Sequence, residues 1–127
     1  MQGKHLYEYA IIRVVPRVER EEFINVGVIL CAAKQRFIQC RINLNRDKLL
    51  ALDPEADCDL LAAHLDSFVK ICSNPDEGGP IAKNDPPARF RWLTAMRSSM
   101  IQTSRPHSGL TEDLEGTVER LFRENVL

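Results

Sequence analysis

The sequence predicts an α+β fold in which three to four strands form a mainly antiparallel sheet and about three helices pack on one of its faces. Three apolar runs rich in β-branched and aromatic residues, 7–15, 23–33 and 36–44, follow one another with short polar connectors. This arrangement is typical of an N-terminal antiparallel meander. After residue 44 the apolar residues recur every three or four positions instead of every two, which indicates amphipathic helices.

The strand predicted over 23–33 alternates most regularly. One face is expected to carry Ile24, Val26, Val28, Leu30 and Ala32, and the other Phe23, Asn25, Gly27, Ile29 and Cys31. Because glycine weakens a strand interior, Gly27 is expected to mark a β-bulge or a place where something packs close to the backbone. The strand over 36–44 alternates in the same way, with Ile38, Cys40, Ile42 and Leu44 on its apolar face.

A short helical segment is predicted over 45–52, and three main helices follow it. They run from an N-cap at Asp53 to about Ser73, over 88–96, and onward from a cap at Thr111. In the first of the three, the residues Leu61, Leu65, Phe68 and Cys72 share one helical face. Residues 75–87 are predicted to be an irregular loop rich in proline and glycine, and His107-Ser108-Gly109 a turn.

The composition is that of an ordinary globular protein, with 127 residues, 44% of them apolar and 28% charged. A chain of this length is expected to fold as a single domain, 1–127. Its net charge of −1 gives no overall attraction to nucleic acid or to an anionic membrane. The charge is uneven, at +4 over residues 1–52, −6 over 53–88 and +1 over 89–127. The acidic middle is expected to be a solvated helix face and loop.

The cysteine and histidine positions favour neither disulfides nor a metal centre. The four cysteines, Cys31, Cys40, Cys58 and Cys72, have no CxxC spacing, and three of them lie in apolar patterns. The histidines are scattered without an HExxH pattern, so neither a metal nor another cofactor is expected. The sequence has no signal-peptide pattern and no apolar run of membrane-spanning length. We therefore expect reduced, buried cysteines in a cytoplasmic protein with no membrane contact.

The polar face of the predicted sheet is the first candidate for a functional surface. It is expected to combine the polar residues Arg13, Asn25, Gln39, Arg41 and Asn43 with the aromatic residues Tyr7, Tyr9, Phe23 and Phe37. Aromatic rings and arginines on an open sheet stack RNA bases. The alternative is an ordinary solvated or helix-covered face, which the lack of RNP-type aromatic motifs favours.

The second candidate is a cluster of polar residues late in the chain, namely Arg97, Ser98, Ser99, Arg105, His107, Ser108 and Gly109. Two arginines with hydroxyl groups favour a phosphate or carboxylate ligand. A serine nucleophile with His107 as its base is the catalytic alternative. It needs an orienting carboxylate such as Glu21 or Glu22, and the GxSxG elbow is absent. The simplest interpretation is turn chemistry, in which His107 caps a backbone group.

The segments YEYAIIRVVP…EEFINVGVIL and FRWLTAMRSSMIQTSRPHSGLTEDLE…RLF together resemble the bacterial family catalogued as domain of unknown function 3037. The resemblance runs from Tyr7 to Phe122. The family's motif positions correspond here to Arg13, Pro16, Glu22, Asn25, Gly27, Arg91, Trp92, Arg97, Ser98, His107, Ser108 and Gly109. Met96 stands where the family often has proline. The resemblance implies no activity, but it does imply a companion role to a HipA-like kinase-fold protein encoded nearby.

These patterns leave three functions open and favour the first. It is a non-catalytic binding or regulatory role with a protein partner, in which Arg13, Glu22, Asn25 and Gly27 lie beside Arg97, Ser98, His107 and Ser108. The second is a small enzyme that acts on a phosphorylated or nucleotide-like substrate through His107 and Arg97. The third is RNA binding by the sheet face. A partner protein requires a contiguous exposed apolar patch.

Arg13 and Arg97 are expected to bind an anionic ligand or to pair with Glu22. A purely structural ion pair between Arg13 and Glu22, which would fix the first hairpin, is an equal alternative. An enzyme instead requires His107, Arg97 and a carboxylate to converge in a concave pocket.

Overall fold

The computed structural model describes residues 3–95 and 99–127, and within these ranges five strands form one antiparallel sheet with helices on both faces. The strands are β1 (His5–Val14), β2 (Ile24–Ala32), β3 (Phe37–Ile42), β4 (Ile101–Thr103) and β5 (His107–Thr111). The helices are α1 (Arg46–Leu52), α2 (Cys58–Ser73), α3 (Pro86–Thr94) and α4 (Leu114–Asn125). Short 3₁₀ turns occupy Val18–Arg20 and Pro80–Lys83. The α+β class and the antiparallel meander are confirmed.

The central strand of the sheet is β1. It pairs with β2 along one side, and β2 pairs with β3 beyond it. Along the other side β1 is shared by two short strands, because β5 pairs with its residues 5–9 and β4 with its residues 12–14. The segment from His107 to Gly109 is therefore strand and not the predicted turn. Pairing with β1 outweighs the turn preference of its serine and glycine.

Two apolar cores lie on opposite faces of the sheet. The first core joins β1 and β2 to α1, α2 and α3, and includes Ile12, Val26, Ile29, Leu49, Leu61, Leu65, Phe68, Cys72, Phe90 and Leu93. The second core joins the other face to α4, and includes Ile11, Val28, Leu30, Ala32, Val118, Leu121 and Phe122. The prediction that all helices pack on one face was wrong for α4. The β2 strand is apolar on both faces, and an apolar face must be covered.

A β-bulge in β2 explains why the predicted alternation of that strand fails halfway. Ile12 lies opposite Gly27 but Arg13 lies opposite Asn25, so that Val26 is the extra residue. Up to the bulge, Ile24 and Val26 face the first core as one set. Beyond it the predicted faces exchange, since Val28, Leu30 and Ala32 belong to the second core and Ile29 and Cys31 to the first. The expectation of a bulge at Gly27 is confirmed.

Three predicted helix boundaries move in the structure because other side chains supply the caps. Asp53 ends α1, and Asp57 caps α2 by accepting a hydrogen bond from the Leu60 backbone N–H at 3.0 Å. Asp85 caps α3, so the predicted loop over 75–87 stops short of Pro86. Asp113 rather than Thr111 caps α4 through the Gly116 N–H at 3.0 Å. Each cap satisfies an N–H that the first helical turn leaves without a partner.

None of the helices within the described ranges is both long enough and apolar enough to cross a membrane.

Candidate functional site

Arg13 lies near the end of β1 on the face that α4 covers. Its neighbours across the strands are Asn25 of β2 and Gln102 of β4. Its guanidinium carbon stands 4.0 Å from the centre of the Phe23 ring, within the range of a cation–π contact. We call these four residues, Arg13, Phe23, Asn25 and Gln102, the Arg13 site.

The polar atoms of the Arg13 site are only partly satisfied. Asn25 donates from Nδ2 to the backbone carbonyl of Asn125, at the end of α4, over 3.1 Å. Its Oδ1 and the Nε of Arg13 are buried without a hydrogen-bond partner. Burial lowers the pKa of the Arg13 guanidinium from its usual value. Unsatisfied buried polar atoms are uncommon in folded proteins and point to strain, water or a ligand.

Glu22 does not contribute to this site. Its carboxylate pairs with Arg20, with 2.9 Å between Arg20 Nε and Glu22 Oε1, and both side chains are largely exposed. The predicted ion pair between Arg13 and Glu22 is therefore replaced by two separate contacts. Glu22 pairs with Arg20, and Arg13 stacks on Phe23. The hairpin connection turns at Glu21, which takes a left-handed conformation with φ of 58°.

His107 and Ser108 lie at the start of β5 and both are exposed. His107 is opposite Tyr9, with 5.4 Å between the ring centres, and Ser108 is opposite Glu8. Successive strand residues point to opposite faces, so these two side chains do not form a nucleophile–base pair. Arg97 and Ser98, two further predicted members of this cluster, lie outside the described residues.

The two predicted clusters do not meet within the described residues. Arg13 is four residues further along β1 than Tyr9, the residue that His107 faces. At the rise of a β-strand this separates Arg13 and His107 by roughly 13 Å. The described part of the chain thus divides the predicted site into an Arg13 site and an exposed His107 next to Tyr9.

Most of the predicted RNA-binding face lies under α4. Arg41 pairs with Glu119 of α4, and its guanidinium carbon lies 4.7 Å from the centre of the Phe122 ring. Val28 and Leu30 on the same face are completely buried. The exposed aromatic surface on this side of β1 consists mainly of Phe23 and the Tyr9–His107 pair, which gives fewer stacking positions than the sequence predicted.

The sequence did not predict a pocket of about 480 Å³ between α2, α3 and the segment that leads into β4. Its lining includes the apolar residues Phe68, Ile71, Leu93 and Met100 and the polar residues His64 and Ser67 of α2. Its size and apolar lining suit a small apolar ligand. Neither Arg13 nor His107 lines it. Positions 64, 67, 68 and 71 share one side of a helix, but only the tertiary packing of α3 leaves the space beside them.

The sequence also did not predict an exposed pair of apolar side chains. Leu6 of β1 and Leu110 of β5 are directly opposite each other across the two strands, and they are 60% and 63% exposed. Leu110 was the only sequence feature that could have indicated this pair. The predicted turn over 107–109 left Leu110 outside any strand. We call this pair the Leu6–Leu110 patch.

The cysteines are free thiols that belong to the packing of the first core. Cys31 and Cys72 are buried, and Cys40 and Cys58 are partly buried. Within the described residues no group of histidine, cysteine and acidic side chains is arranged to hold a metal ion. A hydrogen bond with Cys40, together with burial, raises the pKa of Cys72, and burial raises the pKa of Cys31 from 9.0 to about 11.

Cys31 is expected to make the protein less stable in strong base. Its pKa is higher in the folded than in the unfolded chain, so its contribution is fully present below pH 9 and is lost as the pH rises towards 11. The unfolded thiol ionises first, and we expect a loss of about 2 kcal/mol in unfolding free energy across this window. Urea denaturation at pH 8 and pH 11, repeated on Cys31→Ala to subtract lysine and tyrosine titration, measures it. Equal losses in both proteins would contradict the prediction.

Comparison with known proteins places the chain in a family. No curated protein and no solved structure matches it. The family model described as "Protein of unknown function (DUF3037)" matches residues 9–126, which is almost the whole chain and includes all the strands and helices except the first four residues of β1. The sequence-based resemblance is thereby confirmed, and the chain belongs to the DUF3037 family.

Proposed function

We propose that this protein is a non-catalytic binding protein that docks a protein partner on the β5 edge and the Leu6–Leu110 patch. The observation that carries the proposal is the exposure of two directly opposed leucines on adjacent strands at the margin of the sheet. Exposed apolar side chains in contact mark interaction surfaces more often than isolated ones do.

The free edge of β5 supports the proposal. Within the described residues β5 pairs with β1 alone, so its other side presents unpaired backbone N–H and C=O groups. Its sequence, His107 to Thr111, contains no lysine, proline or acidic residue of the kind that protects an edge strand. An edge of this type accepts an extended segment of another chain by strand addition.

The Leu6–Leu110 patch would supply the side-chain part of such an interface. Leu6 alternates with Ala10 and Ile12 on the face of the first core, but it lies before the part of β1 that the helices cover. A partner strand on β5 would bring its own apolar side chains next to Leu110. Backbone hydrogen bonds would then provide affinity, and the leucines specificity.

The arrangement of the described polar residues favours binding over catalysis. His107 and Ser108 point to opposite faces, and no carboxylate of the described residues forms an ion pair with His107. The free β5 edge and the Leu6–Leu110 patch therefore fit a protein partner better than a small substrate. The HipA-like kinase-fold protein implied by the family resemblance is the first partner to test.

Leu110→Lys is expected to weaken this interaction strongly, since a charged side chain on an edge strand opposes strand addition. We expect binding to the kinase-fold partner to weaken by roughly thirtyfold or more, as for a buried interface residue. The measurement is the dissociation constant of the purified pair, after native mass spectrometry of the protein from its own host has identified the complex.

Leu60→Lys is the matched control, because Leu60 is 45% exposed on α2, far from β5 in the chain. It should bind like the unaltered protein. Wild-type affinity in Leu110→Lys would contradict the docking surface. A homodimer that Leu110→Lys dissociates would show that the edge serves a second copy and not a different protein.

A further inference from the structure

We infer that the Arg13 site binds a carboxylate group of a ligand, in a position independent of the β5 edge. Its guanidinium is half-buried on the sheet, stacked on Phe23 and flanked by Asn25 and Gln102. The inference goes beyond the proposed function, since it assigns a second binding site and its chemistry.

No carboxylate of the described residues matches the charge of Arg13. Among residues 3–95 and 99–127, no acidic side chain forms an ion pair with it, although Arg17, Arg20, Arg41, Arg46 and Arg120 all have one. A partly desolvated charge is normally paired, because leaving water without a partner costs free energy. An anion from solution would supply the missing partner.

The guanidinium of Arg13 is held in one orientation. Phe23 lies against one of its sides at 4.0 Å, and Nε is buried, so the Nη nitrogens form the end that remains for a ligand. Asn25 beside it is fixed by its hydrogen bond to the Asn125 carbonyl. A fixed guanidinium loses less side-chain entropy on binding than a free one.

The surroundings of Arg13 favour a carboxylate over a phosphate. The cross-strand neighbours of Arg13 are neutral amides, and the partial negative charge at the nearby carbonyl end of α4 already offsets part of its positive charge, so a ligand of low charge fits best. One guanidinium matches a singly charged planar carboxylate through two parallel hydrogen bonds. A phosphate group carries more charge than this surrounding could balance.

The Arg13 site is separate from the docking surface. Leu6 and Arg13 are seven residues apart on β1, which is roughly 23 Å along the strand. Odd and even positions also face opposite sides of the sheet. A failure of the partner interaction therefore leaves this inference intact, and the reverse also holds.

The test is an NMR titration of ¹⁵N-labelled protein with sodium acetate, at constant ionic strength maintained with sodium chloride. We expect saturable shifts of the Arg13 Nε–Hε signal and of the Asn25 and Gln102 backbone amides. Arg13→Gln should weaken acetate binding by roughly tenfold or more. Arg13→Lys keeps the charge but loses the two-pronged geometry, so it should also bind more weakly.

Arg123→Gln is the matched control, since it removes the same charge from the exposed surface of α4, and it should bind acetate like the unaltered protein. Thermal unfolding of each variant shows that it is folded, and Arg13→Lys decides the question if Arg13→Gln is not. Acetate shifts that persist in the Arg13 variants, or that sodium chloride reproduces, would overturn the inference. Tighter binding of inorganic phosphate than of acetate would overturn the carboxylate assignment.

Discussion

Gly27→Ala is expected to lower the free energy of unfolding by about 3 kcal/mol, more than any surface substitution in this protein. A Cβ atom at this position would stand 2.5 Å from the backbone carbonyl oxygen of Arg41, and 3.1 Å from the Ile42 side chain. The carbonyl belongs to the paired strand β3 and cannot move without breaking the ladder. The strands must therefore separate or the bulge must shift, and both cost packing in the first core.

Chemical denaturation of Gly27→Ala measures this loss, and Gly79→Ala is its control. A Cβ at Gly79 would meet no atom within 4 Å, although its φ of +80° is strained for alanine. We expect the control to lose about 1 kcal/mol from that backbone strain alone. If both variants lost the same amount, the close approach of β2 to β3 at Gly27 would not be the cause.

The bulge next to Gly27 also sets the composition of the Arg13 site. The bulge makes Val26 the extra residue of β2. It thereby places Asn25 opposite Arg13, on the face of the sheet that α4 covers. Removal of the bulge would shift the register by one residue and turn Asn25 to the other face. A Gly27→Ala variant that stays folded by losing or shifting the bulge should therefore also lose the acetate-induced shift at Asn25.

The sequence predicted those parts of the fold in which a regular period meets one core. The helical positions Leu61, Leu65, Phe68 and Cys72 are all buried in the first core. The apolar face of β3 packs against the same core through Ile38, Cys40 and Ile42. In both cases a single apolar face determines the orientation, and the periodicity of the chain is sufficient to find it.

The remaining parts depend on pairings between distant segments. The β2 strand has apolar residues on both faces, so its pattern did not show where the alternation would change. The helix α4 lies where it does because it covers the face of β2 that carries Val28, Leu30 and Ala32. The β5 strand has the composition of a turn and becomes a strand only because β1 offers a free edge.

The candidate site was predicted as a set of residues but not as an arrangement. Arg13 and Asn25 were singled out together, whereas the stacking of Arg13 on Phe23 depends on side-chain positions that periodicity does not give. Leu6 and Leu110 are 104 positions apart in the chain and become neighbours only through strand register. Such pairs are invisible to local patterns, because their contact is a property of the sheet.

Phe122→Ala is expected to destabilise the protein by about 3 to 5 kcal/mol and to release α4 from the sheet. Phe122 is buried in the second core with Val28, Leu30 and Leu121. Its ring also receives the Arg41 guanidinium, at 4.7 Å from the ring centre. The substitution removes both the apolar contact and the cation–π contact, and the latter adds about 0.5–1 kcal/mol at an exposed site.

The measurement combines urea denaturation with hydrogen exchange of the α4 amides, and Phe23→Ala is its control. Phe23 is 44% exposed, so the same chemical change should cost about 1 kcal/mol or less there. Similar losses in the two variants would mean that α4 contributes little to the second core. Rapid exchange confined to α4 in Phe122→Ala would instead identify this helix as the cover of the sheet face on which Arg41 lies beside the buried Val28 and Leu30. RNA affinity that appeared only in that variant, and that fell as salt was raised, would then show that α4 occupies the surface on which bases would stack.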